Sequence, residues 1–131
     1  MLVRHKEDAE HLAGTYGLPA GRIRENENSI DAAVRELKEE TGLKTSTESL
    51  LELPQLYYAT IERKDGSRQN FSFRVYLCKK YSGELQENKE TVPEWINVSE
   101  LKNYNLLPNV ETAINDALKL NNKLQILNPK Y

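Results

Sequence analysis

The chain has 131 residues, of which 38% are hydrophobic and 29% charged, and its formal net charge is −2. This size and composition indicate one soluble globular domain. Proteins that bind nucleic-acid polymers usually carry a basic patch, and the slightly negative net charge gives no reason to expect one. No apolar run reaches the roughly 18 residues of a membrane span. The single cysteine, Cys78, excludes an intramolecular disulfide and fits a reducing cytoplasm.

The first 21 residues predict a strand and, later, a loop. Residues 2–4 have the pattern of the end of a strand, and residues 16–21 contain Gly and Pro where a strand turns into a loop. The small residues Ala20 and Gly21 allow backbone groups to approach a ligand closely.

A helix should follow this loop. Asn28 or Ser29 can cap its N-terminus, and the helical pattern ends near Thr41. Gly42 comes next and suits the left-handed conformation that terminates many helices.

The predicted helix carries three carboxylates beside its apolar face. At about 100° per residue, Glu36, Glu39 and Glu40 fall within one arc of about 100°. Carboxylates at this spacing repel one another, and a hard divalent cation would offset the repulsion. The alternative is a solvated acidic face.

The spacing of the surrounding residues favours the metal site. Residues 21–43 match the pattern G-x5-E-x7-R-E-U-x-E-E-x-G-U, in which U is apolar, at every specified position. Its seven Gly, Glu and Arg positions match by chance on the order of once in 10⁸ starting points. The chain therefore resembles the Nudix hydrolases. The matching residues are Gly21, Glu27, Arg35, Glu36, Leu37, Glu39, Glu40, Gly42 and Leu43.

The resemblance implies a fold and an activity. The fold is an α/β class, an α/β/α sandwich around a mixed sheet, formed by a single domain over residues 1–131. The activity is hydrolysis of a pyrophosphate bond in a nucleoside diphosphate linked to another moiety, with Mg²⁺ or Mn²⁺ as cofactor. The alternative is a non-catalytic nucleotide-binding or sensing module.

The resemblance also implies roles within the motif. Glu36, Glu39 and Glu40 would bind the metal, and the carbonyl group of Ala20 would complete its coordination. Arg35 would hold Glu27 or a ligand carboxylate by charge-assisted hydrogen bonds. The alternative for this arginine is an exposed ion pair with Glu39, four residues further on.

In one respect the chain departs from the family. Another strand and turn normally precede a segment like residues 2–4. We therefore expect either a longer native protein or a sheet edge that is completed otherwise, for example in a homodimer rather than a monomer.

The middle of the chain predicts three strands. A short strand near Leu50 ends before Pro54, a second runs over about residues 56–63, and Asp65-Gly66 is a hairpin signal. The alternating pattern of residues 71–80 predicts one return strand.

Candidate substrate contacts lie on the predicted strands. They are Tyr57, Tyr58 and Arg4, and a tyrosine here is about as well explained by the core as by stacking on a base. Tyr57, Tyr58 and Pro54 do not lie at the distances from the motif that are typical of any one substrate class of the family. The sequence therefore does not identify the substrate.

A polar, acidic loop over residues 82–94 should precede a strand at residues 95–98. Because a carboxylate bound to metal is a poor base, the general base should come from this loop or, failing that, from Glu36. Glu90 is our choice, with Glu87 or Glu94 as alternatives and a solvated loop as the simpler interpretation.

The last helix should begin after Pro108 or Asn109. Val110, Ala113 and Ile114 begin an apolar pattern typical of a face packed on a sheet. This helix is expected to be structural.

Overall fold

The computed structural model of the chain describes residues 1–6, 14–63 and 65–127. In chain order the strands and helices are β1 (Leu2–His5), β2 (Tyr16–Gly17), α1 (Ser29–Thr41), β3 (Leu50–Glu52), β4 (Tyr57–Glu62), β5 (Arg68–Phe73), β6 (Tyr76–Cys78), β7 (Thr91–Glu94) and α2 (Val110–Leu127). Short 3₁₀ helices occupy Thr47–Ser49 and Val98–Asn103. Neither α-helix of the described ranges is long and apolar enough to cross a bilayer.

Local signals determine where α1 begins and ends. The side chain of Asn28 accepts a hydrogen bond of 2.9 Å from the backbone N–H of Asp31. At the other end Gly42 has φ = +82°, and its N–H donates to the carbonyl oxygen of Lys38 at 2.9 Å. Both predicted ends of this helix are confirmed.

The strand β1 lies in the middle of a three-stranded sheet with the order β2-β1-β7. Val3 pairs with Gly17 on one side and with Pro93 on the other, both antiparallel. An isolated parallel bridge joins Tyr16 to Leu106, whereas the paired strands of this sheet are antiparallel. Because β1 has a neighbour on each side, the open edge expected beside the first strand does not lie there.

Both faces of this sheet are covered. Leu2 and Val3 are each 1% exposed, and neighbouring side chains of a strand point to opposite faces. Leu2 shares a hydrophobic cluster with Val110 of α2, and α1 contacts β7. The architecture is the predicted α/β/α sandwich.

The helix α2 joins two hydrophobic clusters. Ala113 packs in the first, with Leu53, Tyr57 and Val75. In the second, Val110 packs with Leu2 and Leu101. The packed face of α2 is therefore the predicted one.

The single return strand predicted for residues 71–80 is wrong. β5 pairs with β4, whereas β6 pairs with β3, and the two strands are separated by Arg74 and Val75. Val75 is buried, and its carbonyl oxygen accepts a hydrogen bond from the N–H of Leu53 at 2.8 Å. The apolar alternation continues through this break, so it does not reveal the change of partner.

The strand predicted at residues 95–98 is also wrong. The strand β7 lies earlier, within the predicted acidic loop, while Trp95 is 55% exposed and a 3₁₀ helix starts at Val98. Pro93 suggested a loop, but β7 stands at the edge of the three-stranded sheet, where proline is tolerated.

Candidate active site

The guanidinium group of Arg35 organises the motif of residues 21–43, in which it contacts three carboxylates. Its Nε and Nη2 donate to the two oxygens of Glu27, each at 2.8 Å. Its Nη1 donates to Glu36 at 2.6 Å and to Glu39 at 3.0 Å. Arg35 therefore makes both of the predicted contacts. It holds Glu27 in a bidentate pair, and it also forms the ion pair with Glu39, four residues further on.

The pair between Arg35 and Glu27 fixes the loop before α1. Hydrogen bonds from Arg35, and from the backbone N–H of Arg24 at 3.0 Å, lower the pKa of Glu27 to about 2. Glu27 and Glu36 in turn raise the pKa of the guanidinium group. Arg35 also donates to the carbonyl oxygen of Arg22 at 2.9 Å, so the loop is held to the helix at two points.

Gly21 is the point where this loop lies closest to a candidate ligand. A β-carbon built there would lie 1.9 Å from a carboxylate oxygen of Glu36. A residue with a side chain cannot occupy this position unless that carboxylate moves. Steric exclusion therefore explains why the motif has glycine at this position.

Glu40 is the carboxylate of the site whose ionised form is most disfavoured. Its Oε2 accepts a hydrogen bond of 3.0 Å from the backbone N–H of Ala20. Burial nevertheless raises the pKa of Glu40 to about 7, and the negative charges of Glu36, Glu90 and Glu39 contribute to the rise. The fold therefore adds Glu90, from the loop before β7, to the carboxylates of α1.

Asn88 positions this loop, and the sequence analysis missed it. Its Nδ2 donates to the carbonyl oxygen of Glu39 at 3.3 Å. Its Oδ1 accepts from the backbone N–H groups of Glu90 and Thr91, each at 2.8 Å. Asparagine side chains often make such local bonds in turns, and this property was the available signal.

The alternatives to Glu90 have other partners. Glu87 forms an ion pair with Lys6 at 3.2 Å, and Glu94 forms one with Arg4 at 3.6 Å. Glu90 takes part in none of the ion pairs of the described residues.

Comparison with known proteins identifies the family. The family model described as NUDIX domain matches residues 1–117. The chain belongs to the Nudix family.

Similar proteins include longer curated relatives. The chain is 30% identical over 115 residues to Nudix hydrolase 2 of Arabidopsis thaliana, covering 82% of this chain and 39% of that protein. It is 33% identical over 89 residues to the 8-oxo-dGDP phosphatase NUDT18 of Homo sapiens, covering 68% of this chain and 24% of that protein. The matched region thus spans less than half of each of these relatives.

A solved structure supports the fold. The solution structure of the E. coli ORF135 protein aligns with a TM-score of 0.65 at 20% sequence identity. The alignment covers 92% of this chain and 80% of that one. At this identity the likeness concerns the fold alone.

Nudix proteins generally use divalent metals, and the donor set of this chain fits a hard cation. Glu36, Glu39 and Glu40 supply carboxylate oxygens, and burial, followed by the charges of Glu36, Glu90 and Glu39, raises the pKa of Glu40. Within residues 1–6, 14–63 and 65–127, no three His, Cys, Asp or Glu side chains converge in a metal-binding arrangement. Arg35 holds Glu36 and Glu39 in ion pairs.

The structure separates the candidate substrate contacts. Tyr57 is 6% exposed, donates to Asp116 at 2.7 Å and stacks on Phe73 with ring centroids 5.6 Å apart. Burial, and then this hydrogen bond, raises the pKa of Tyr57 to about 12. Its ring is covered by the core, which corrects the expectation that Tyr57 contacts substrate.

Tyr58 and Arg4 remain accessible. Tyr58 is 64% exposed and lines a shallow groove of about 580 Å³ with Asn70 and Asn109 among its walls. The side chain of Asn109 donates to the carbonyl oxygen of Tyr58. Arg4 lies on β1 in its ion pair with Glu94. Their contact with a substrate stays a prediction.

Proposed function

We propose that this Nudix chain is a pyrophosphohydrolase that uses Mg²⁺ or Mn²⁺ to cleave a nucleoside diphosphate linked to another moiety. The observation that carries the proposal is the position of the motif carboxylates: the loop before α1 contacts Glu40 through the N–H of Ala20 and lies against Glu36 at Gly21, and Arg35 holds Glu39. Carboxylates gathered where this loop meets α1 favour a bound cation, and Mg²⁺ in proteins is commonly shared between carboxylates and substrate phosphates.

The residues of the motif would divide the work. Glu36, Glu39 and Glu40 would hold the cation, with the carbonyl group of Ala20 as a further ligand. When bound, the metal neutralises phosphate charge and lowers the pKa of a bound water. Arg35 would keep the ligands and the loop in register through its ion pairs.

Glu90 would act as the general base. It is exposed, it lies close enough to raise the pKa of Glu40, and Asn88 fixes its backbone. A base must remain free to accept a proton from the attacking water, and a carboxylate bound by a cation has a lowered pKa. The neighbouring Glu87 and Glu94 are less suitable because each is held by a cationic side chain.

A substrate panel tests the activity. Nucleoside diphosphate derivatives are incubated with the protein and Mg²⁺ or Mn²⁺, and phosphate is measured after a phosphatase has acted on the products. We expect turnover of at least one derivative and its loss in Glu39→Gln. Tight nucleotide binding without turnover across the panel would instead favour the sensing module.

The setting of the activity is also part of the proposal. We expect a cytoplasmic protein, because a chain with the single cysteine Cys78 forms no intramolecular disulfide and fits a reducing compartment. We expect a monomer or a homodimer whose partner molecule is a small nucleotide. Light scattering with and without Mg²⁺ measures the oligomeric state.

A further inference from the structure

The loop that precedes β7 packs against the C-terminal end of α1. The backbone N–H of Gln86 donates to the carbonyl oxygen of Thr41 at 2.8 Å. The side chain of Asn88 donates to the carbonyl oxygen of Glu39 at 3.3 Å. The last carbonyl groups of a helix have no partner within it, and this loop supplies a partner for two of them.

The carbonyl group of Glu39 lacks its usual helical donor. In a continuing helix it would accept a hydrogen bond from the backbone N–H of Leu43, four residues further on. That N–H donates instead to the side-chain oxygen of Thr41 at 3.1 Å, because Gly42 turns the chain out of the helix. The amide group of Asn88 takes the place of the missing donor.

The same side chain fixes the backbone that carries Glu90. Its Oδ1 accepts hydrogen bonds from the N–H groups of Glu90 and Thr91, each at 2.8 Å, and from the hydroxyl group of Thr91 at 3.1 Å. On the other side, the N–H of Lys6 donates to the carbonyl oxygen of Glu90 at 2.7 Å. The backbone of Glu90 is therefore held at both its N–H and its carbonyl group.

The amide group of Asn88 thus uses both of its ends. Its NH₂ group, a donor, contacts the helix that carries the proposed metal ligands, and its oxygen, an acceptor, contacts the turn that carries Glu90. Because one planar group joins the two segments, the turn cannot move relative to the helix unless at least one of these bonds breaks. The charge of Glu90 contributes to the raised pKa of Glu40, so the carboxylates of the two segments lie within electrostatic reach.

We propose that Asn88 is a positioning residue of the hydrolytic reaction, which sets the place of Glu90 relative to the carboxylates of α1. The proposal rests on the proposed function, in which Glu90 accepts a proton from the attacking water. Asn88 acts through Glu90 and contacts neither the substrate nor this water. A displacement of about 1 Å at a reacting group can lower the rate about 100-fold, so a bridge that fixes the base also determines the rate.

A double-mutant cycle provides the first test. The kcat, the KM and the Mg²⁺ concentration for half-maximal rate are measured for the wild type, Asn88→Ala, Glu90→Gln and the double variant, with the derivative of the substrate panel that the wild type turns over fastest. Asn88→Ala should lower kcat at least about tenfold and change the other two values less than about twofold, because the proposed ligands on α1 stay in place. In the Glu90→Gln protein the same substitution should have little further effect, since residues that act as a unit are not additive. Equal losses of kcat in both backgrounds would overturn the proposal.

Two more variants separate the bridge to α1 from the turn itself. Asn88→Asp keeps an acceptor for the N–H of Glu90 but has no donor for the carbonyl oxygen of Glu39. Its kcat should fall nearly as far as that of Asn88→Ala, and a wild-type kcat would overturn the bridging role. The control is Asn97→Ala, which should keep kcat, because Oδ1 of Asn97 makes the same kind of local bond, from the N–H of Ser99 at 3.0 Å, in a different turn.

Amide hydrogen exchange provides the second test and needs no substrate. It is recorded by NMR on the full chain without metal. The N–H of Glu90 should exchange at least about tenfold faster in Asn88→Ala, and should stay close to the wild-type rate in Asn88→Asp and Asn97→Ala. Unchanged exchange in Asn88→Ala would overturn the proposal, because the side chain would then not hold the turn. Thermal unfolding of each variant checks that it is folded.

The two tests separate this role from the proposed function. Faster exchange at Glu90 in Asn88→Ala, in a protein that turns over no derivative of the panel, would support the placement of Glu90 by Asn88 and sink the hydrolase. Turnover with a kcat that Asn88→Ala leaves unchanged would support the hydrolase and overturn the positioning role.

Discussion

Gly21 contributes to the site through the side chain that it lacks. Its β-carbon position is 1.9 Å from an oxygen of Glu36, and that carboxylate is held by Arg35 at 2.6 Å. We expect Gly21→Ala to displace the carboxylate and lower turnover by about tenfold or more, because the misplacement affects a candidate metal ligand. The midpoint of thermal unfolding should change little, since the displaced group is the end of a flexible side chain. Wild-type turnover and Mg²⁺ affinity in this variant would contradict the steric argument.

Glu27 should make stability depend on pH in the acid range. Its pKa is about 2 in the folded protein, below the ordinary value of 4.5, chiefly because Arg35 binds the ionised form. The stabilisation is therefore present above about pH 4.5 and is lost as the pH falls toward 2. Glu27→Gln should flatten this part of the profile, measured as the free energy of unfolding in urea at several pH values. Glu25→Gln, at an exposed position in the same loop, is the control and should keep the wild-type slope.

When metal is absent, Glu40 should make the protein less stable as the pH rises, which is the opposite of the effect of Glu27. Its folded-state pKa of about 7 exceeds the ordinary value of 4.5, so the free energy of unfolding should fall as the pH rises from about 4.5 to 7. At pH 8 in EDTA, Glu40→Gln should be more stable than the wild type by about 1–3 kcal/mol, because a buried charge has been removed. The same variant should bind Mg²⁺ more weakly and turn over more slowly. Equal stability of the two proteins across this range would refute the assignment of strain to Glu40.

At the scale of elements, the end of α1 depends on Gly42. Its φ of +82° is unfavourable for other residues, and a β-carbon there would lie 2.6 Å from the carbonyl oxygen of Glu84. Gly66 provides a matched control, because its φ is +84° but its β-carbon would meet nothing within 4 Å. We expect Gly66→Ala to cost about 1 kcal/mol from backbone strain, and Gly42→Ala to cost at least about 1 kcal/mol more because the backbone must also move. Urea unfolding of both variants measures the difference, and equal costs would show that the contact with Glu84 is easily relieved.

Elements that depend on local signals could be predicted from the sequence. The helix α1 has its own cap at Asn28 and its own stop at Gly42, so both ends could be located from neighbouring residues. The strands β5 and β6 could not be separated, because the choice of partner depends on residues far away in the chain. The strand β7 was missed since a proline at a sheet edge has the same local pattern as a proline in a loop.

The candidate site shows the same division. The motif located the carboxylates of α1 because their spacing is local. The sequence predicts Glu90 only as the preferred base among three glutamates of an acidic loop, whereas its approach to Glu40 depends on the bonds of Asn88 across to α1. Contacts between distant segments, rather than residue types, were what the sequence left open.

At the scale of the whole molecule, the site connects segments that are otherwise separate. Asn88 ties the loop before β7 to α1, and Arg35 ties the loop before α1 to the same helix. A ligand that binds these segments together can bind the folded state but not the unfolded chain. Its binding free energy must therefore appear as stability of the whole domain.

The last prediction follows from this linkage. A nucleotide analogue that cannot be hydrolysed, added with Mg²⁺ at about 100 times its dissociation constant, should stabilise the wild type by about 2.7 kcal/mol. For a domain of this size the midpoint of thermal unfolding should rise by roughly 10 °C. Glu39→Gln should lose most of this rise, because its metal affinity is reduced, whereas Glu52→Gln, on β3 and paired with Arg74, should keep it. If both variants gain the full rise, the nucleotide binds without the motif, and the metal site would have to be sought in other residues.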